Sequence, residues 1–428
     1  MYKEVSRQLL AFIEKSPSCY HVIRNIEERL QKKGFIALQE GEKWKVSEGN
    51  SYYVTRNSSS LVAFRLPEGA GNFQIIASHS DSPTFKIKEH PEMETEKQYM
   101  KLNVEKYGGM ICSTWMDRPL SVAGRIFVSE NDKIREKLVD IDKNLLMIPN
   151  LAIHMDREQN NGHSYNPQTD MLPVYGAASG KKSFLSMVAE YAGVKEEDIL
   201  GTDLFLYNRM PGTFWGAEEE YIAGPKLDDL QCAFGALEGF LAAEGGKSIQ
   251  VYAVFDNEEA GSQTKQGAAS GFLKDTLHRI AVHLGKSEEE ELCMLAESFM
   301  ISADNAHAVH PNHPEKADPT NRPYLNGGIV IKYHANQKYT TDGRSAAVIK
   351  LLCKKADVPV QAFTNRSDMQ GGSTLGNISS SQVAVDTVDI GLPQWAMHSS
   401  WETAGAKDTE YLVGLSKVFY ESLLLKKK

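Results

Sequence analysis

The chain is poor in cysteine and has no long apolar segment. Its 428 residues include five scattered cysteines, and no two of them form a C-x-x-C pair. This usage argues against a disulfide framework and against a zinc site built from thiolates. No apolar stretch has the length that spans a bilayer, and the first residues lack the apolar run of a secretory signal. We therefore expect a soluble, cytoplasmic protein with no membrane partner.

Positive charge is also scarce. Lys and Arg number 47 against 56 for Asp and Glu, which gives a formal net charge of −9. This balance argues against a nucleic-acid partner. Hydrophobic residues at 41% and charged residues at 24% are typical of a globular enzyme. A chain of 428 residues is longer than one ordinary domain. We expect two domains, or one domain with a large insertion.

Strand patterns alternate with helix patterns over much of the chain. Apolar runs predict strands at residues 52–55, 61–66, 73–78, 249–255, 299–302, 328–331 and 382–388. Helical spacing predicts helices in the first fifteen residues and near residues 18–34, 230–244, 290–297, 344–355 and 411–419. Such alternation favours an α/β fold, a mostly parallel sheet flanked by helices, over residues 1–86 and 224–428. Residues 87–223, with short strand-like pieces at 125–128 and 145–148, read as a β-rich inserted domain.

An acidic cluster follows the predicted strand at residues 249–255. The next residues include the adjacent pair Glu258 and Glu259. Two neighbouring carboxylates at the end of a buried strand repel each other and are costly to desolvate. A bound metal ion is one interpretation of this pair, and a solvated acidic loop is the other.

Other predicted elements also end or begin with polar residues. His79 and Asp81 follow one strand, Asp304 follows another, Asp228 precedes a helix, and His398 lies near the end of the chain. Sites in open α/β sheets form beyond the carboxyl ends of strands. Imidazole and carboxylate ligands without thiolates suit zinc, or manganese or cobalt, and five ligands with one shared carboxylate would hold two ions. Asp81 is placed to accept the second imidazole N–H of His79.

Five of these polar segments occur in a recognisable order. They are Ala77-Ser78-His79-Ser80-Asp81-Ser82-Pro83, Lys226-Leu227-Asp228-Asp229-Leu230, Asp256-Asn257-Glu258-Glu259-Ala260-Gly261-Ser262, the run from Ser302 through Asp304 to Asn312, and Ala396-Met397-His398-Ser399. Together they resemble the aspartyl aminopeptidase family of dinuclear zinc exopeptidases, in its bacterial type. The resemblance implies a catalytic domain interrupted by a dimerisation domain, here residues 87–223, and dimers that assemble into a tetrahedral dodecamer.

The resemblance also implies a metal ligand set. His79 and Asp304 would bind one divalent ion, Glu259 and His398 would bind the other, and Asp228 would bridge the two. Two zinc ions per subunit are expected, with manganese or cobalt as alternatives.

Three further residues, Glu258, Lys332 and His154, receive roles from the resemblance, and Asp81 is added as a catalytic candidate because of its position beside His79. Glu258 would be the general base that moves a proton from the attacking water to the departing amine, with Asp81 as a second catalytic residue. Lys332 would bind the acidic side chain of a peptide that begins with Asp or Glu. His154, in the inserted domain, would reach the active site of the neighbouring subunit.

Other interpretations remain open from the sequence. A related dinuclear aminopeptidase or deacylase without acidic specificity would carry the same ligands, and a non-enzymatic assembly scaffold belongs to a different class. His307, His310 and His313 could be mistaken for a metal triad, but the prolines among them argue against one helical face. The sequence departs from many relatives at Gly371-Gly372, where they carry Cys-Gly.

Overall fold

The chain forms three β-sheets packed with α-helices in the computed structural model, which describes residues 2–180 and 182–422. None of the helices in these ranges is long and apolar enough to cross a membrane. The α-helices are α1 (Tyr2–Glu14), α2 (Cys19–Lys32), α3 (Phe184–Ala192), α4 (Leu227–Ala242), α5 (Phe272–His283), α6 (Glu288–Ala296), α7 (Gly343–Ala356), α8 (Leu375–Gln382) and α9 (Asp408–Glu421).

The strands divide into three groups by sheet. The nine-stranded sheet contains β1 (Ile36–Leu38), β2 (Ser51–Arg56), β3 (Ser60–Arg65), β4 (Phe73–His79), β13 (Ile249–Phe255), β14 (Phe299–Ala303), β16 (Ile329–Lys332), β17 (Val360–Phe363) and β18 (Asp386–Gly391). The six-stranded sheet contains β5 (Thr84–Thr95), β6 (Tyr99–Tyr107), β7 (Leu120–Glu130), β8 (Lys133–Asp140), β9 (Val174–Ala177) and β10 (Ile199–Asn208). The five-stranded sheet contains β11 (Thr213–Trp215), β12 (Tyr221–Gly224), β15 (Ala306–His307), β19 (Pro393–Trp395) and β20 (Glu402–Gly405).

The nine-stranded sheet holds β4 in its interior. Its spatial order is β1-β2-β3-β13-β4-β14-β18-β16-β17. Five of its neighbouring pairs are parallel, including both pairs that β4 makes, with β13 and with β14. Every residue of these three strands is buried. The carboxyl ends of β4, β13 and β14 therefore meet at one edge of the sheet, where sites in α/β folds form.

Helices cover both faces of this sheet. On one face, helices that include α1, α4 and α9 bury Leu9, Leu237 and Phe419 against the strands. On the other face, α5 and α8 bury Phe272 and Leu375. Each large apolar side chain removed from water contributes roughly 1.5–3 kcal/mol, so the two cores hold the sheet edge rigidly in place. The α/β fold class predicted from the sequence is confirmed.

The six-stranded sheet has an apolar core of its own. Phe85, Val122 and Leu204 pack there with Phe184 from α3. The first expected domain limit, residue 86, lies inside β5. The second, residue 224, is the last residue of β12, and β12 pairs with β20 in the five-stranded sheet.

Two strand predictions are wrong, one of them only in its bounds. The strand predicted at residues 382–388 begins later, as β18 (Asp386–Gly391), and α8 precedes it. A Cβ added to Gly376 in α8 would lie 2.4 Å from Oδ1 of Asp389, so a larger residue would not fit there. This close contact with β18 determines where the serine-rich helix α8 lies. The strand predicted at residues 145–148 is also wrong, because Leu146 and Met147 make only isolated bridges.

Candidate metal centre

Three parallel strands deliver the first site residues. Residue Phe255 of β13 lies beside His79 at the end of β4, and Ser302 of β14 lies beside Ala77. The residues that follow β13 and β14 therefore reach the same edge of the sheet as His79. A short 3-10 turn, Glu258–Ala260, carries the two glutamates, and its preceding and following residues adopt left-handed backbone conformations. This turn directs consecutive carboxylates to different neighbours.

Asp228 enters the site from the first turn of α4. Asp228 and Asp229 have non-helical backbone angles inside this helix, and the peptide bond between them is cis. Both side chains are buried. The main-chain N–H of Asp228 donates to Oε2 of Glu402 at 3.0 Å. The Asp228 side chain is therefore presented by an irregular helix start rather than by a strand.

His398 completes the group from the loop after β19. Its φ angle is 66°, in the left-handed region that few residues other than glycine adopt. Its Nε2 lies 3.4 Å from Oδ2 of Asp228 and 3.3 Å from Oε2 of Glu259. On the other side of Asp228, Nε2 of His79 lies 3.5 Å from Oδ1. The Asp228 carboxylate thus stands between two imidazoles.

All five residues predicted as metal ligands lie in this cluster. Their ligand atoms fall into three groups, in each of which all atoms lie within 4.8 Å of one another. The groups are His79 with Asp228, Asp229 and Asp304; His79 with Glu258 and Glu259; and Asp228 with Glu259 and His398.

The unpaired oxygens of this cluster fit a metal. Oδ1 of Asp228, Oδ1 of Asp229 and Oε1 of Glu259 are buried and accept no hydrogen bond from the part of the chain that the structure describes. A buried carboxylate oxygen without a donor is costly, and a cation removes that cost. Imidazole and carboxylate donors are the ligands that zinc binds in this kind of site. The residues present therefore fit zinc.

The pKa values of the cluster show the same excess of negative charge. Burial and the carboxylates of neighbours such as Asp304 and Asp81 raise the pKa of Glu258 to about 8. Burial and the Asp228 carboxylate raise the pKa of Glu259 well above its usual value. Although burial opposes it, the surrounding carboxylates also raise the pKa of His79. Cations beside these groups would favour the ionised carboxylates.

Asp81 holds the backbone of the two glutamates. Its Oδ1 and Oδ2 accept the main-chain N–H groups of Glu258 and Glu259, each at 3.1 Å. Nδ1 of His79 lies 3.1 Å from the carbonyl oxygen of Asp81 and 3.4 Å from its Oδ1. A carbonyl can only accept, so the imidazole proton sits on Nδ1 and Nε2 is free to face Asp228. Asp81 therefore positions three residues of the cluster.

Three supporting residues were not identified from the sequence. Tyr107 of β6 donates its hydroxyl to Oδ2 of Asp81 at 2.6 Å. Asp229 accepts the main-chain N–H of His79 at 3.1 Å. Glu402 at the start of β20 accepts two further N–H groups from the site. Asp229 follows a predicted ligand directly, which is a usable signal, whereas nothing in the local sequence marks Tyr107 or Glu402.

A cavity of about 330 Å³ opens onto the cluster. Lys332, at the end of β16, lines it, and its Nζ lies 3.7 Å from Oδ1 of Asp304. Only 3% of Lys332 is exposed, so its ammonium faces the interior of the site. His307 and Gly372 also line the cavity. His154 instead lies exposed in an irregular segment and does not line the cavity of its own chain.

Comparison with known proteins identifies the family. The sequence model of the aminopeptidase I zinc metalloprotease family, M18, matches residues 12–420. A Clostridium novyi protein named as a probable M18 family aminopeptidase 2 is 48% identical over 424 residues, covering 97% of this chain and 98% of that protein. A chain in the cryo-EM structure of the Ape4 and Nbr1 complex superposes with a TM-score of 0.95 at 37% identity, covering 98% of this chain and 86% of that chain. The S. cerevisiae mApe1 dodecamer gives a TM-score of 0.86 at 27% identity, covering 98% and 97%. The chain belongs to the M18 family of zinc aminopeptidases.

Proposed function

We propose that this aminopeptidase removes N-terminal Asp or Glu from peptides with two divalent metal ions in the cluster described above. The observation that carries the acidic preference is the buried ammonium of Lys332 on the wall of the cavity that meets the metal ligands. A buried cation at that place favours a substrate carboxylate and disfavours a basic or apolar side chain.

The proposed ligand set follows the grouping of side chains in the cluster. His79 and Asp304 hold one ion, Glu259 and His398 hold the other, and Asp228 is shared. The position of Asp228 between the two imidazoles supports this division. Zinc is the expected metal, and manganese or cobalt suits the same ligands.

Glu258 is the proposed general base. Bound metal ions supply a Lewis acid that polarises the scissile carbonyl and lowers the pKa of the attacking water. Glu258 lies within the cluster, and the hydrogen bond from its N–H to Asp81 fixes its backbone. Its carboxylate would take a proton from the attacking water and transfer it to the scissile-bond nitrogen, which leaves as the new N-terminal amine of the shortened peptide. Glu259, whose N–H bonds to the other oxygen of Asp81, is held facing His398 instead.

Lys332 is the proposed specificity residue. Its Nζ lies 5.6 Å from the centre of the Tyr339 ring, and Phe363 lines the same cavity. Although burial opposes it, the Asp304 carboxylate raises the pKa of Lys332, so the side chain stays charged. The cavity therefore offers a fixed positive charge beside aromatic side chains, where the side chain of the first residue of a peptide would bind.

Assembly is proposed to proceed through the inserted domain. In our proposal, residues 87–223 form a dimerisation domain, and dimers build a tetrahedral dodecamer, as the S. cerevisiae relative is a dodecamer. Leu151, Ile153 and Met155 are large apolar residues that remain exposed in one chain, and they flank His154. Such a patch favours association, and His154 would then reach the cavity of the neighbouring subunit.

A substrate panel tests this function. Turnover of Asp-, Glu-, Leu- and Lys-anilides by the zinc-loaded protein should be fastest for Asp and Glu. Lys332→Ala should lose at least tenfold in kcat/KM for the acidic substrates and little for Leu, and Lys332→Glu should shift preference toward Lys. A faster wild-type rate on Leu, or activity only on acylated amino acids, would contradict the acidic assignment. An assembled protein without hydrolysis at any metal concentration would indicate a scaffold.

A further inference from the structure

A single buried carboxylate joins two separate segments of the metal centre. Glu402 is 2% exposed at the start of β20. Its Oε2 accepts the N–H of Asp228 at 3.0 Å, and its Oε1 accepts the N–H of His398 at 2.7 Å. Both oxygens are therefore used, and both are used on main-chain donors of residues whose side chains face the cluster.

Both segments that Glu402 contacts have an irregular backbone conformation. Asp228 lies at a non-helical point inside α4, so the main-chain ladder of the helix does not fix it. His398 holds a φ of 66°, a conformation that a histidine keeps only where its surroundings impose it. Strand pairing fixes Glu402 itself, because Gly224 of β12 lies opposite it. The carboxylate of Glu402, a residue whose backbone is held by the sheet, thus forms hydrogen bonds that restrain two irregular segments.

We propose that Glu402 is a positioning residue that sets the separation of Asp228 and His398 and thereby the affinity of the ion held between them. The inference rests on the metal site proposed above. It assigns to Glu402 the same action that Asp81 performs for Glu258 and Glu259. The two carboxylates together fix the backbone of four residues of the site.

Zinc binding by the full chain tests this role without reliance on activity. Glu402→Gln keeps the size of the side chain, but its amide nitrogen can no longer accept one of the two N–H groups. The expected result is a 10- to 100-fold weaker affinity for one of two zinc ions, since residues that orient metal ligands have effects of this size. Competition with a chromophoric chelator, on protein stripped of metal and reloaded with zinc, measures both affinities.

Asp408→Asn is the matched control. Asp408 is also fully buried, and it also accepts two main-chain N–H groups, from Asn326 at 2.7 Å and from Gly328 at 3.0 Å. Its partners lie outside the cluster, so its variant should lower the melting temperature and leave both zinc affinities unchanged. Glu402→Asp provides a second variant with a shorter side chain, and its loss of affinity should be measurable if Glu402→Gln does not fold.

The outcomes separate the two proposals. If Glu402→Gln or Glu402→Asp binds two zinc ions as tightly as the wild type while melting earlier, as Asp408→Asn does, the positioning role is wrong and the proposed centre stands. A wild type that binds fewer than two zinc ions would contradict the proposed centre, and the inference with it.

Discussion

The hydroxyl of Tyr107 donates a 2.6 Å hydrogen bond to Oδ2 of Asp81, across the junction between the six-stranded and nine-stranded sheets. Asn257 donates to the same hydroxyl oxygen at 2.9 Å. A Cβ added at Gly108, the next residue, would lie 3.0 Å from Cβ of Glu259. The second sheet therefore reaches the residues that hold the two glutamates in place.

Replacement of Tyr107 by Phe should reduce activity. The change removes the donor to Asp81, whose oxygens position Glu258 and Glu259. We expect kcat to fall roughly tenfold or more, as for other residues that orient a metal site, and stability to fall by about 1–2 kcal/mol. Steady-state kinetics and thermal unfolding measure the two effects. Tyr207→Phe is the control, because Tyr207 donates a similar 2.7 Å bond to Asp140; an equal loss of kcat in both variants would contradict a specific role for Tyr107.

The adjacent glutamates should respond differently to the same substitution. Glu258→Gln should lower kcat by about 10²–10⁴-fold, the usual contribution of a general base, with two zinc ions retained. Glu259→Gln should lose zinc, because it removes a ligand oxygen that lies 3.3 Å from Nε2 of His398. Metal analysis of both purified variants, with kinetics alongside, distinguishes them. If Glu258→Gln lost zinc and Glu259→Gln retained it, Glu258 would be the metal ligand and Glu259 the general base.

Metal removal should make stability depend on pH. Burial and neighbouring carboxylates raise the pKa values of Glu258 and Glu402 to about 8. A raised carboxyl pKa stabilises the fold below the unfolded value of about 4.3, and this contribution is lost as pH rises through about 8, at roughly 1.4 kcal/mol per pKa unit. The free energy of unfolding of chelated protein should therefore be several kcal/mol lower at pH 8.5 than at pH 5.5.

The zinc-loaded protein is the control for this pH dependence. Bound cations favour the ionised carboxylates and stabilise the native state by about 2.7 kcal/mol per ion at a free zinc concentration 100 times the Kd. The difference in the free energy of unfolding between zinc-loaded and chelated protein should be larger at pH 8.5 than at pH 5.5. A constant difference would show that the carboxylates do not repel one another in the absence of metal.

Disruption of the exposed apolar patch should separate the subunits and stop hydrolysis. Leu151 and Met155 are 57% and 76% exposed in one chain, on either side of His154. The double variant Leu151→Asp, Met155→Asp should give a smaller molar mass by light scattering and little activity, although the metal ligands are intact. Leu292→Asp, at a residue of α6 that is also 57% exposed, is the control. A fully active monomer would contradict a role for His154 in the neighbouring site.

Strand periodicity made part of the site predictable. His79 ends β4, Asp304 directly follows β14, and Glu258 lies three residues after the end of β13. The parallel arrangement brings these strand ends together, so a local pattern locates the three residues. Tyr107 and Glu402 act through contacts with residues far away in the chain, which periodicity does not encode.

Helices α3, α5 and α8 were not predicted, and α5 and α8 were missed for different reasons. Phe272, Leu273 and Leu277 of α5 have helical spacing, so the sequence contained a usable signal. In α8, by contrast, serines predominate, and its position depends on the close contact of Gly376 with Asp389. A signal of that kind exists only in the folded protein.

The interior position of β4 also has a consequence during synthesis. Its residues end at His79, but its two neighbours begin at Ile249 and Phe299. At about 5–20 residues per second, roughly 10–30 s pass before the first of them leaves the ribosome, and the edges of β4 stay unpaired for that time. His398 is translated later still, close to the end of the chain. Because His398 is one of the five proposed ligands, the metal centre is completed only after most of the polypeptide has been synthesised.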